Sequence, residues 1–411
     1  MRIAIFSSGF FPVIDGVSIA LLNRLQVLDK IGHQVLLLCP DYSALEPIYP
    51  NWQDYTGQIL PNVKVVNLPS TEALGLDFER DVNLNAYPIA LQELQNFDPD
   101  IIHVDEPERL GIRFFKIPGI NFARNTQIPC VSFFHTNYLD YIDDYLPLST
   151  VIITSIKWAL ERLFVKIYNT YDVTLVSSRV TQNKLIKMGI KNTVYAELLG
   201  FDSTQFHSEL RINDFFQNRY NIAGIENKIK LIFIGRLTPD KGWNFTINAL
   251  SRLKQIGAVD QVALLIVGEG PLRNQISKNL SPLMPHLHFL GRVNPDQIPA
   301  LLANSDIHVT TSEKETRGLT LIEALAVGIV VLAPRSGGVI DSIQDGDNGF
   351  LYNPQDQDDF LKKLMLLIDN PTLRQEMGKR GQESVADNSW NYAVRRLLKI
   401  WERCIKEQAQ N

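Results

Sequence analysis

The chain has 411 residues, of which 45% are apolar and 21% are charged, and its formal net charge at pH 7 is −5. This length exceeds what one hydrophobic core usually serves and favours two domains of about 200 residues each. Counting Lys and Arg against Asp and Glu gives 16 against 21 for residues 1–200 and 24 against 24 for the remainder, so the basic face needed for nucleic-acid binding is not predicted.

The cysteines and the apolar runs indicate a cellular compartment. Cys39, Cys130 and Cys404 are few, odd in number and far apart, which supports neither a disulfide framework nor a cysteine-rich zinc site and favours a reducing cytoplasm. The apolar run after Arg2 is too short for a signal-peptide core, and no uncharged stretch approaches the roughly 20 residues that span a bilayer. We therefore expect a cytoplasmic protein that works, if at a membrane, on its cytoplasmic surface.

Short apolar runs alternate with longer amphipathic segments along the first half of the chain. One amphipathic segment, residues 18–30, is predicted to be a helix. The strand-like runs are residues 3–6, 35–38, 63–66, 101–104, 131–134 and 174–176. This alternation is typical of parallel βαβ units with both faces of the sheet covered.

The same alternation restarts after a polar stretch at residues 202–230. The strand-like runs of the second half are residues 231–234, 263–267, 287–290, 307–310, 329–333 and 349–351. The pattern predicts two doubly wound domains, residues 1–205 and 206–385, with a cleft where the carboxyl ends of their strands face each other. Residues 386–411, with an amphipathic helix at 390–405, are predicted to pack back on the first domain.

Residues 312–328, SEKETRGLTLIEALAVG, carry the most information about a binding site. Gly318 permits a tight turn from the strand at 307–310 into a helix, and the first turn of that helix offers unpaired N–H groups to an anion. Glu323 sits within the apolar stripe of the same helix. A carboxylate in that position needs a polar partner.

A nucleotide sugar would supply such partners. A ribose diol could donate two hydrogen bonds to Glu323, while Glu315, in the loop before the helix, could bind sugar hydroxyls beside phosphates held at the helix N-terminus. The alternative interpretation is a structural salt bridge together with a carboxylate at a helix start.

Two cations follow the first strand of the second half. Arg236 and Lys241 come just after the strand at 231–234, where two fixed positive charges could neutralise a leaving nucleoside diphosphate and replace a metal ion. Ordinary solvated loop charges are the alternative.

Two residues of the first half are further candidates. Gly16 lies between a turn and a helix, where a phosphate or a sugar could approach the backbone closely, although most glycines of this kind only make turns. His135 follows the strand at 131–134 and is predicted at the edge of the cleft, with a core or loop histidine as the alternative.

The spacing Glu315-x7-Glu323, with Gly318 and the Glu-Ala-Leu-Ala-x-Gly helix, resembles the signature of glycosyltransferase family 4. In that family the first Glu contacts the donor sugar and the second contacts the ribose. Three other segments are similar to family landmarks in the same order along the chain: residues 11–18 to the N-terminal glycine loop, 234–242 to the diphosphate-binding Arg and Lys, and 267–271 to the next strand end.

The resemblance covers essentially the whole chain and implies an α/β protein of the GT-B fold, with two doubly wound Rossmann-like domains facing across a deep cleft. The first domain would bind the acceptor and the second the nucleotide sugar. The implied catalytic residues are Arg236, Lys241, Glu315 and His135. The implied donor-binding residues are Gly16, Arg236, Lys241, Arg292, Val293, Glu315, Gly318, Leu319 and Glu323; of these, Arg292 and Val293 belong to a segment that resembles the nucleobase-reading one.

The implied reaction is that of a hexosyltransferase. A sugar moves from a nucleotide sugar, expected to be a UDP-sugar, to an acceptor with retention of anomeric configuration. The departing phosphate oxygen helps to deprotonate the acceptor at the front face, so neither an enzymic nucleophile nor a cofactor nor a metal ion is expected in the chemistry, and the protein supplies positioning and charge stabilisation.

The acceptor is expected to be a membrane lipid such as diacylglycerol, because the motifs most resemble the branch that makes sulfoquinovosyl, mannosyl or glucosyl lipids. Two segments could form a basic, aromatic-bearing face for anionic lipid, or else two solvated helix faces over a core. The first contains Arg109, Arg113, Lys116 and Arg124, and the second contains Lys157, Arg162, Lys166, Arg179, Lys184, Lys187 and Lys191. Arg317 could favour an anionic donor sugar or point into solvent.

Other functions use the same architecture. A soluble or polysaccharide acceptor would need no membrane. A sugar-nucleotide epimerase would need further acid and base groups, for which His135 is the evident candidate, and a non-catalytic nucleotide-sugar sensor would not need the full set of charged residues. An NAD-dependent dehydrogenase is excluded because no Gly-x-Gly-x-x-Gly follows the first strand. The sequence does not predict an oligomeric state.

Overall fold

The computed structural model describes residues 1–73, 76–145 and 148–410. The strands of this part of the chain are β1 (Arg2–Phe6), β2 (Gln34–Pro40), β3 (Gly57–Leu60), β4 (Val63–Leu68), β5 (Ser70–Ala73), β6 (Leu76–Val82), β7 (Ile101–Asp105), β8 (Cys130–Phe134), β9 (Val173–Val176), β10 (Thr193–Tyr195), β11 (Ile229–Ile234), β12 (Val262–Val267), β13 (Leu287–Gly291), β14 (Ile307–Val309), β15 (Val330–Pro334) and β16 (Gly349–Tyr352).

The helices of the same residues are α1 (Gly16–Lys30), α2 (Ala86–Phe97), α3 (Pro107–Phe114), α4 (Ile120–Thr126), α5 (Tyr138–Tyr145), α6 (Thr150–Tyr168), α7 (Arg179–Met188), α8 (Phe215–Tyr220), α9 (Trp243–Gln255), α10 (Arg273–Leu280), α11 (Ile298–Ala303), α12 (Leu319–Ala326), α13 (Gln357–Asp369), α14 (Pro371–Ser384) and α15 (Trp390–Gln408). Short 3-10 helices lie at several of the connections, one of them at Pro239–Lys241.

The chain divides into two compact units. The first contains Met1–Leu139, Ser149–Gly200 and the chain from Trp390 onward, and the second contains Asp140–Leu148 and Phe201–Ser389. The chain passes from the first unit to most of the second after Gly200, five residues before the predicted boundary at 205. Asp140–Leu148, which the sequence assigned to the N-terminal domain, is grouped with the second unit instead.

The first unit is built on an eight-stranded sheet with the order β10-β9-β8-β7-β1-β2-β4-β3. All neighbours are parallel except β3, which runs antiparallel to β4. The central strands are buried apolar runs, as expected for a sheet covered on both faces. The chain leaves β1 toward β2 on one side and returns to β7 on the other, so the carboxyl ends of β1 and β7 form the topological switch point, where ligands of doubly wound sheets bind.

The final helix, α15, packs in the first unit against α1. Trp401, which is fully buried, and Leu397 lie in the same hydrophobic cluster as Leu21 and Leu25 of α1. These apolar residues recur at helical spacing on α15, and burial of this face is what fixes the helix in place.

The second unit has a six-stranded, wholly parallel sheet with the order β13-β12-β11-β14-β15-β16. Its core cluster is formed by apolar side chains of these strands and of α9, α10, α13 and α14. The order reverses between β11 and β14. The carboxyl ends of these two strands are therefore the switch point of the second unit.

Glycines allow the loops at this switch point to touch through their backbones. A Cβ on Gly268 would overlap the carbonyl oxygen of Gly235, and one on Gly242 would overlap that of Thr311. A Cβ on Gly338 would likewise overlap the carbonyl oxygen of Thr316. The loops after β11, β12, β14 and β15 thus require glycine for close approach.

All twelve strands predicted from the sequence are present, and none of their ends shifts by more than two residues. The helix predicted at 18–30 begins two residues earlier, at Gly16. The strands that the sequence did not predict are β3, β5, β6 and β10, which lie at sheet edges or in a separate two-stranded sheet. No helix of residues 1–73, 76–145 or 148–410 is long and apolar enough to cross a membrane.

Candidate active site

The candidate donor-binding residues of the second unit lie at the β11 and β14 switch point. Leu231 and Ile232 of β11 pair with Ile307 and His308 of β14. The loop that contains Arg236 and the loop that contains Glu315 therefore begin side by side, although 79 positions separate these two residues in the sequence.

Hydroxyl groups tie the β14 loop to the loop after β11. Thr311 donates from Oγ1 to the carbonyl oxygen of Lys241 over 2.9 Å, and its Oγ1 lies 2.7 Å from that of Thr246 on α9. Ser312 Oγ donates to the carbonyl oxygen of Asp240 over 3.3 Å. These bonds bring the two predicted catalytic side chains together: Lys241 Nζ lies 2.6 Å from Glu315 Oε1.

Each member of this ion pair favours the charged form of the other. Burial alone would raise the pKa of Glu315, but the Lys241 ammonium and hydrogen bonds from Lys241 and Ser312 hold it below its usual value. Burial alone would lower the pKa of Lys241, but Glu315, with Tyr141 and Asp240, raises it. Glu315 thus forms a salt bridge in this structure, with a predicted site residue as its partner.

Arg236 and Tyr141 complete the surroundings of Lys241. The half-buried Arg236 is close enough that its charge acts on both Lys241 and Tyr141. Burial is the main reason why the pKa of Tyr141 is raised; Lys241 opposes the shift and Glu315 adds to it. Sequence reasoning missed Tyr141 because it is distant along the chain and belongs to the segment grouped with the second unit.

Glu323 stands apart from this ion pair, one turn into α12. Gly318 precedes the helix with φ 79°, a left-handed conformation that favours glycine, and Leu319 is the first helical residue. Glu323 is buried, and its carboxylate has no hydrogen bond or ion pair among the described residues. Burial raises its pKa to about 8. The predicted need of Glu323 for a polar partner is therefore not met within these residues.

Arg317 and the predicted nucleobase segment occupy different places. Arg317 is buried, with 5% of its surface exposed, and its Nη1 lies 4.0 Å from Asp341 Oδ2; the alternative that it points into solvent is wrong. Arg292 and Val293 follow β13, two strands away from β11 at the edge of the sheet, and Arg292 is exposed. They are thus not brought next to Lys241 and Glu315 by sheet order.

In the first unit, Gly16 is the first residue of α1. Asp15 caps the helix, since its Oδ1 accepts a hydrogen bond from the backbone N–H of Ser18 over 2.8 Å. Among the described residues, no heavy atom outside the chain neighbours lies within 4 Å of the position that a Cβ on Gly16 would take. The space over Gly16 is open to a ligand as far as the first unit is concerned.

His135 belongs to a buried polar cluster at the ends of β7 and β8. Its Nε2 lies 2.7 Å from Oδ1 of Asp105, the last residue of β7. Arg24 of α1 contacts the same carboxylate at 3.1 Å, and His103 Nε2 lies 3.0 Å from it. Sequence reasoning missed Asp105 and Arg24; the only sequence signal was an acidic residue at the end of a buried strand.

Two further carboxylates follow β7 and were also missed. Glu106, which is buried and has φ 54°, accepts hydrogen bonds from the hydroxyls of Ser8 and Thr136. Burial, together with the Glu106 charge, raises the pKa of Glu108 to about 8, even though Tyr168 donates a hydrogen bond to it. The switch point of the first unit is thus lined by hydroxyl and carboxyl groups.

The predicted basic face is only partly present. Arg109 is paired with Glu79 and Asp81, Arg113 is paired with Asp81, and Arg124 with Asp172. Three of the four cations of the first basic segment are therefore paired with acidic side chains from elsewhere in the unit, whereas the exposed Lys116 lies over the ring of Tyr87. The segment offers less free positive charge than expected. In the second segment, Arg162 stacks over Trp158 on α6.

Among the residues that the structure describes, no group of three or more His, Cys, Asp or Glu side chains is placed so that it could hold a metal ion. The prediction of chemistry without a metal rests on the cations at 236 and 241 and stays a prediction.

The chain is similar to known proteins in both sequence and structure. The family described as "Glycosyltransferase Family 4" matches residues 14–195, and the family described as "Glycosyl transferases group 1" matches residues 215–384. The chain is 27% identical to a GDP-mannose-dependent alpha-mannosyltransferase of Corynebacterium glutamicum, over 97% of this chain and 88% of that protein. It is also 27% identical to a sulfoquinovosyl transferase of Arabidopsis thaliana, over 96% and 72%.

A third relative is an alpha-monoglucosyldiacylglycerol synthase of Streptococcus pneumoniae, 24% identical over 86% of this chain and 75% of that one. Among solved structures, sucrose-phosphate synthase from Thermosynechococcus elongatus has a TM-score of 0.78 at 18% identity, and 99% of each chain is covered.

The predicted fold class and the resemblance to mannosyl, sulfoquinovosyl and glucosyl transferases are confirmed by these matches. The roles of the individual site residues stay predictions. The chain thus combines a glycosyltransferase family 4 domain at residues 14–195 with a glycosyl transferases group 1 domain at residues 215–384, and it is a GT-B hexosyltransferase that takes its sugar from a nucleotide sugar.

Proposed function

We propose that the protein transfers a hexosyl group, with retention of anomeric configuration, from a nucleoside diphosphate sugar to a hydroxyl of a membrane lipid such as diacylglycerol. The observation that carries the donor half of this proposal is the half-buried Lys241–Glu315 ion pair, 2.6 Å between charged atoms, at the switch point of the second unit. A fixed cation and a fixed carboxylate side by side suit a phosphate and a neighbouring sugar ring.

Lys241 and Arg236 would stabilise the leaving diphosphate. Both follow β11, and Glu315 raises the pKa of Lys241, so its ammonium stays charged although the side chain is half-buried. Cations held in place before the reaction need no reorganisation when negative charge develops on the leaving group. No metal ion is required for this role.

Glu315 would hold hydroxyls of the donor sugar rather than attack its anomeric carbon. Its Oε1 is engaged by Lys241, and the pair would be broken by formation of a covalent bond to that oxygen. This arrangement favours front-face displacement, in which the acceptor oxygen bonds to the anomeric carbon as the bond to the diphosphate oxygen breaks. The acceptor proton passes to that departing oxygen.

The nucleotide of the donor would place its ribose at Glu323. A buried carboxyl without a partner gains two hydrogen bonds if a ribose diol reaches it, which removes the cost of burying the ionised form. The expected nucleotide is UDP, as predicted from the sequence. Because the Corynebacterium relative is named as GDP-mannose-dependent, GDP-mannose is the competing donor.

The lipid acceptor is supported by α6 of the first unit. Residues 150–163 of this helix include no buried side chain, and Val151 and Trp158 are 77% and 59% exposed. Lys157 and Arg162 flank Trp158 on the same stretch, where Glu161 is the one acidic residue. An exposed apolar helix with an aromatic residue and flanking cations matches the surface of an anionic bilayer. The name of the Streptococcus relative includes diacylglycerol.

The first test identifies donor and acceptor together. Purified protein is incubated with UDP-, GDP- and ADP-sugars in the presence of diacylglycerol, a mixed lipid extract and soluble sugars, and products are read by mass spectrometry. We expect a hexosylated lipid, with the anomeric configuration of the donor when its product is examined by NMR. A soluble saccharide as the only product would overturn the lipid acceptor, and inversion would overturn the front-face reaction.

The same incubation tests the alternative functions. An isomerised donor sugar formed without any acceptor would favour the epimerase, and tight donor binding without turnover over the whole panel would favour the sensor. Either result would remove the proposed transfer.

Removal of the Lys241 charge tests the leaving-group role. We expect Lys241→Ala to lower turnover by about 10²- to 10³-fold, while the melting temperature changes little, because Glu315 can take up a proton once its cation is gone. The matched control is Lys254→Ala, which removes an exposed lysine of α9 bonded only to the carbonyl oxygen of Pro282. An unaltered rate in Lys241→Ala would exclude Lys241 from the site.

Glu323 generates a prediction about stability and pH. Its folded-state pKa of about 8 lies above that of an unfolded Glu, so the folded protein binds the proton more tightly and its stability falls as pH rises between roughly 5 and 8, by up to ~1.4 kcal/mol per pH unit. Glu323→Gln removes this dependence. The melting temperature of the variant, relative to that of the unaltered protein, should therefore rise from pH 5 to pH 8.

The same substitution should raise the donor KM by about tenfold or more, since the amide replaces a charged acceptor of two hydrogen bonds. A donor KM that stays constant would contradict the ribose role of Glu323, whatever the melting curves show. Parallel melting curves of the two proteins across this pH range would instead contradict its raised pKa.

Membrane docking by α6 is tested by co-sedimentation with vesicles of phosphatidylcholine and phosphatidylglycerol. We expect Val151→Asp/Trp158→Ser to reduce bound protein by about tenfold or more, because two exposed apolar side chains no longer enter the interface. Ile212→Asp, which changes an isoleucine of the second unit that is 56% exposed, is the matched control. Equal binding of the double variant and the control would show that α6 does not dock.

A further inference from the structure

We infer that Asp105 is a positioning residue that keeps the proton of His135 on Nε2, so that His135 presents Nδ1 as a hydrogen-bond acceptor for a substrate hydroxyl. The identity of that hydroxyl rests on the proposed function. The protonation of the ring does not, because it follows from contacts within the first unit.

A buried negative charge, on Asp105, lies beside His135. Asp105 is fully buried, and Arg24 Nη1 lies 3.1 Å from its Oδ2 and 3.3 Å from its Oδ1. Burial alone would raise the pKa of Asp105, but Arg24 in the first place holds it well below its usual value. The carboxylate is therefore ionised and can only accept hydrogen bonds.

The charge on Asp105 sets the direction of its hydrogen bond with His135. His135 Nε2 lies 2.7 Å from Asp105 Oδ1, a full hydrogen-bond distance to an acceptor that has no proton. Nε2 must therefore carry the hydrogen. This fixes the tautomer of the neutral ring and leaves the lone pair on Nδ1.

Nδ1 is the other ring nitrogen of His135. Among the described residues this atom has no hydrogen bond, and the ring is held against Phe133, with 3.8 Å between the ring centroids. Nδ1 is thus an acceptor held in one orientation with its partner still to come.

A second histidine, His103, contacts the same carboxylate but is buried where no ligand reaches it. Its Nε2 lies 3.0 Å from Asp105 Oδ1 and 3.0 Å from Arg24 Nη1, and burial lowers its pKa to about 4. Its ring is fully buried, edge-on to Trp401 at 5.4 Å. His103 therefore completes the base of the cluster, and His135 is the member at the carboxyl end of the sheet.

An acceptor at Nδ1 has a defined role in front-face transfer. The acceptor proton passes to the departing phosphate oxygen, so His135 transfers no proton and instead fixes a hydroxyl by accepting its hydrogen bond. A histidine that was free to change tautomer would offer a donor or an acceptor at the same place. Asp105 removes that choice.

The ring protonation is measured directly by NMR on protein labelled with ¹⁵N-histidine at pH 8, where the signals of His135 are identified by their loss in His135→Gln. We expect a protonated Nε2 and a bare Nδ1. A proton on Nδ1, with or without one on Nε2, would overturn the inference, and this result does not depend on whether the protein is a transferase.

The kinetic test is a double-mutant cycle. Asp105→Asn keeps the shape but can donate or accept, so we expect kcat to fall by about tenfold or more when His135 is present, and by less than about threefold in the His135→Gln background. Equal losses in both backgrounds would show that Asp105 acts on folding alone.

A matched pair of variants guards against misfolding, because Asp105→Asn leaves the Arg24 charge buried without its partner. The cycle is repeated with Arg24→Gln in every protein, which removes both charges together. The same dependence on His135 is expected there. If the unaltered protein transfers no sugar with any donor and acceptor tested, the proposed function is wrong. The inference about His135 is then decided by the NMR measurement alone, which needs no turnover.

Discussion

The ion pair between Lys241 and Glu315 is the interaction on which the donor half of the molecule depends. Both groups are half-buried, and each favours the charged form of the other. Their meeting requires that the loops after β11 and β14 touch through their backbones, which glycine permits at position 242, and that Thr311 bonds to the carbonyl oxygen of Lys241. Strand order, loop geometry and charge therefore specify the same point.

The first unit has the same logic with a different outcome. Arg24 and Asp105 also pair opposite charges near a switch point, but this pair is buried, and in our proposal it acts on a ligand through His135. In the second unit the paired groups themselves are the proposed contacts with the donor. A buried pair of the first kind is costly unless its hydrogen bonds are all made, and two histidines and an arginine supply them for Asp105.

The sequence could predict most of the fold because the central strands are continuous apolar runs. It missed β5, β6 and β10 because they are short, polar or at an edge, as Glu72 in β5 illustrates. Lys241 and Glu315 could each be predicted from strand ends and a family motif. Their contact could not, since 74 positions separate them. Arg24 was invisible because an arginine in a helix ordinarily indicates a solvated face.

The two carboxylates of the family motif have opposite electrostatic states. The pKa of Glu315 is lowered because a cation is already beside it, whereas the pKa of Glu323 is raised to about 8 because burial has no counterpart there. One is prepared before any ligand arrives, and the other is incomplete until hydroxyl donors reach it. Binding of a ribose would favour ionisation of Glu323 and release a proton near neutral pH, which links recognition of the nucleoside to the protonation of a single side chain.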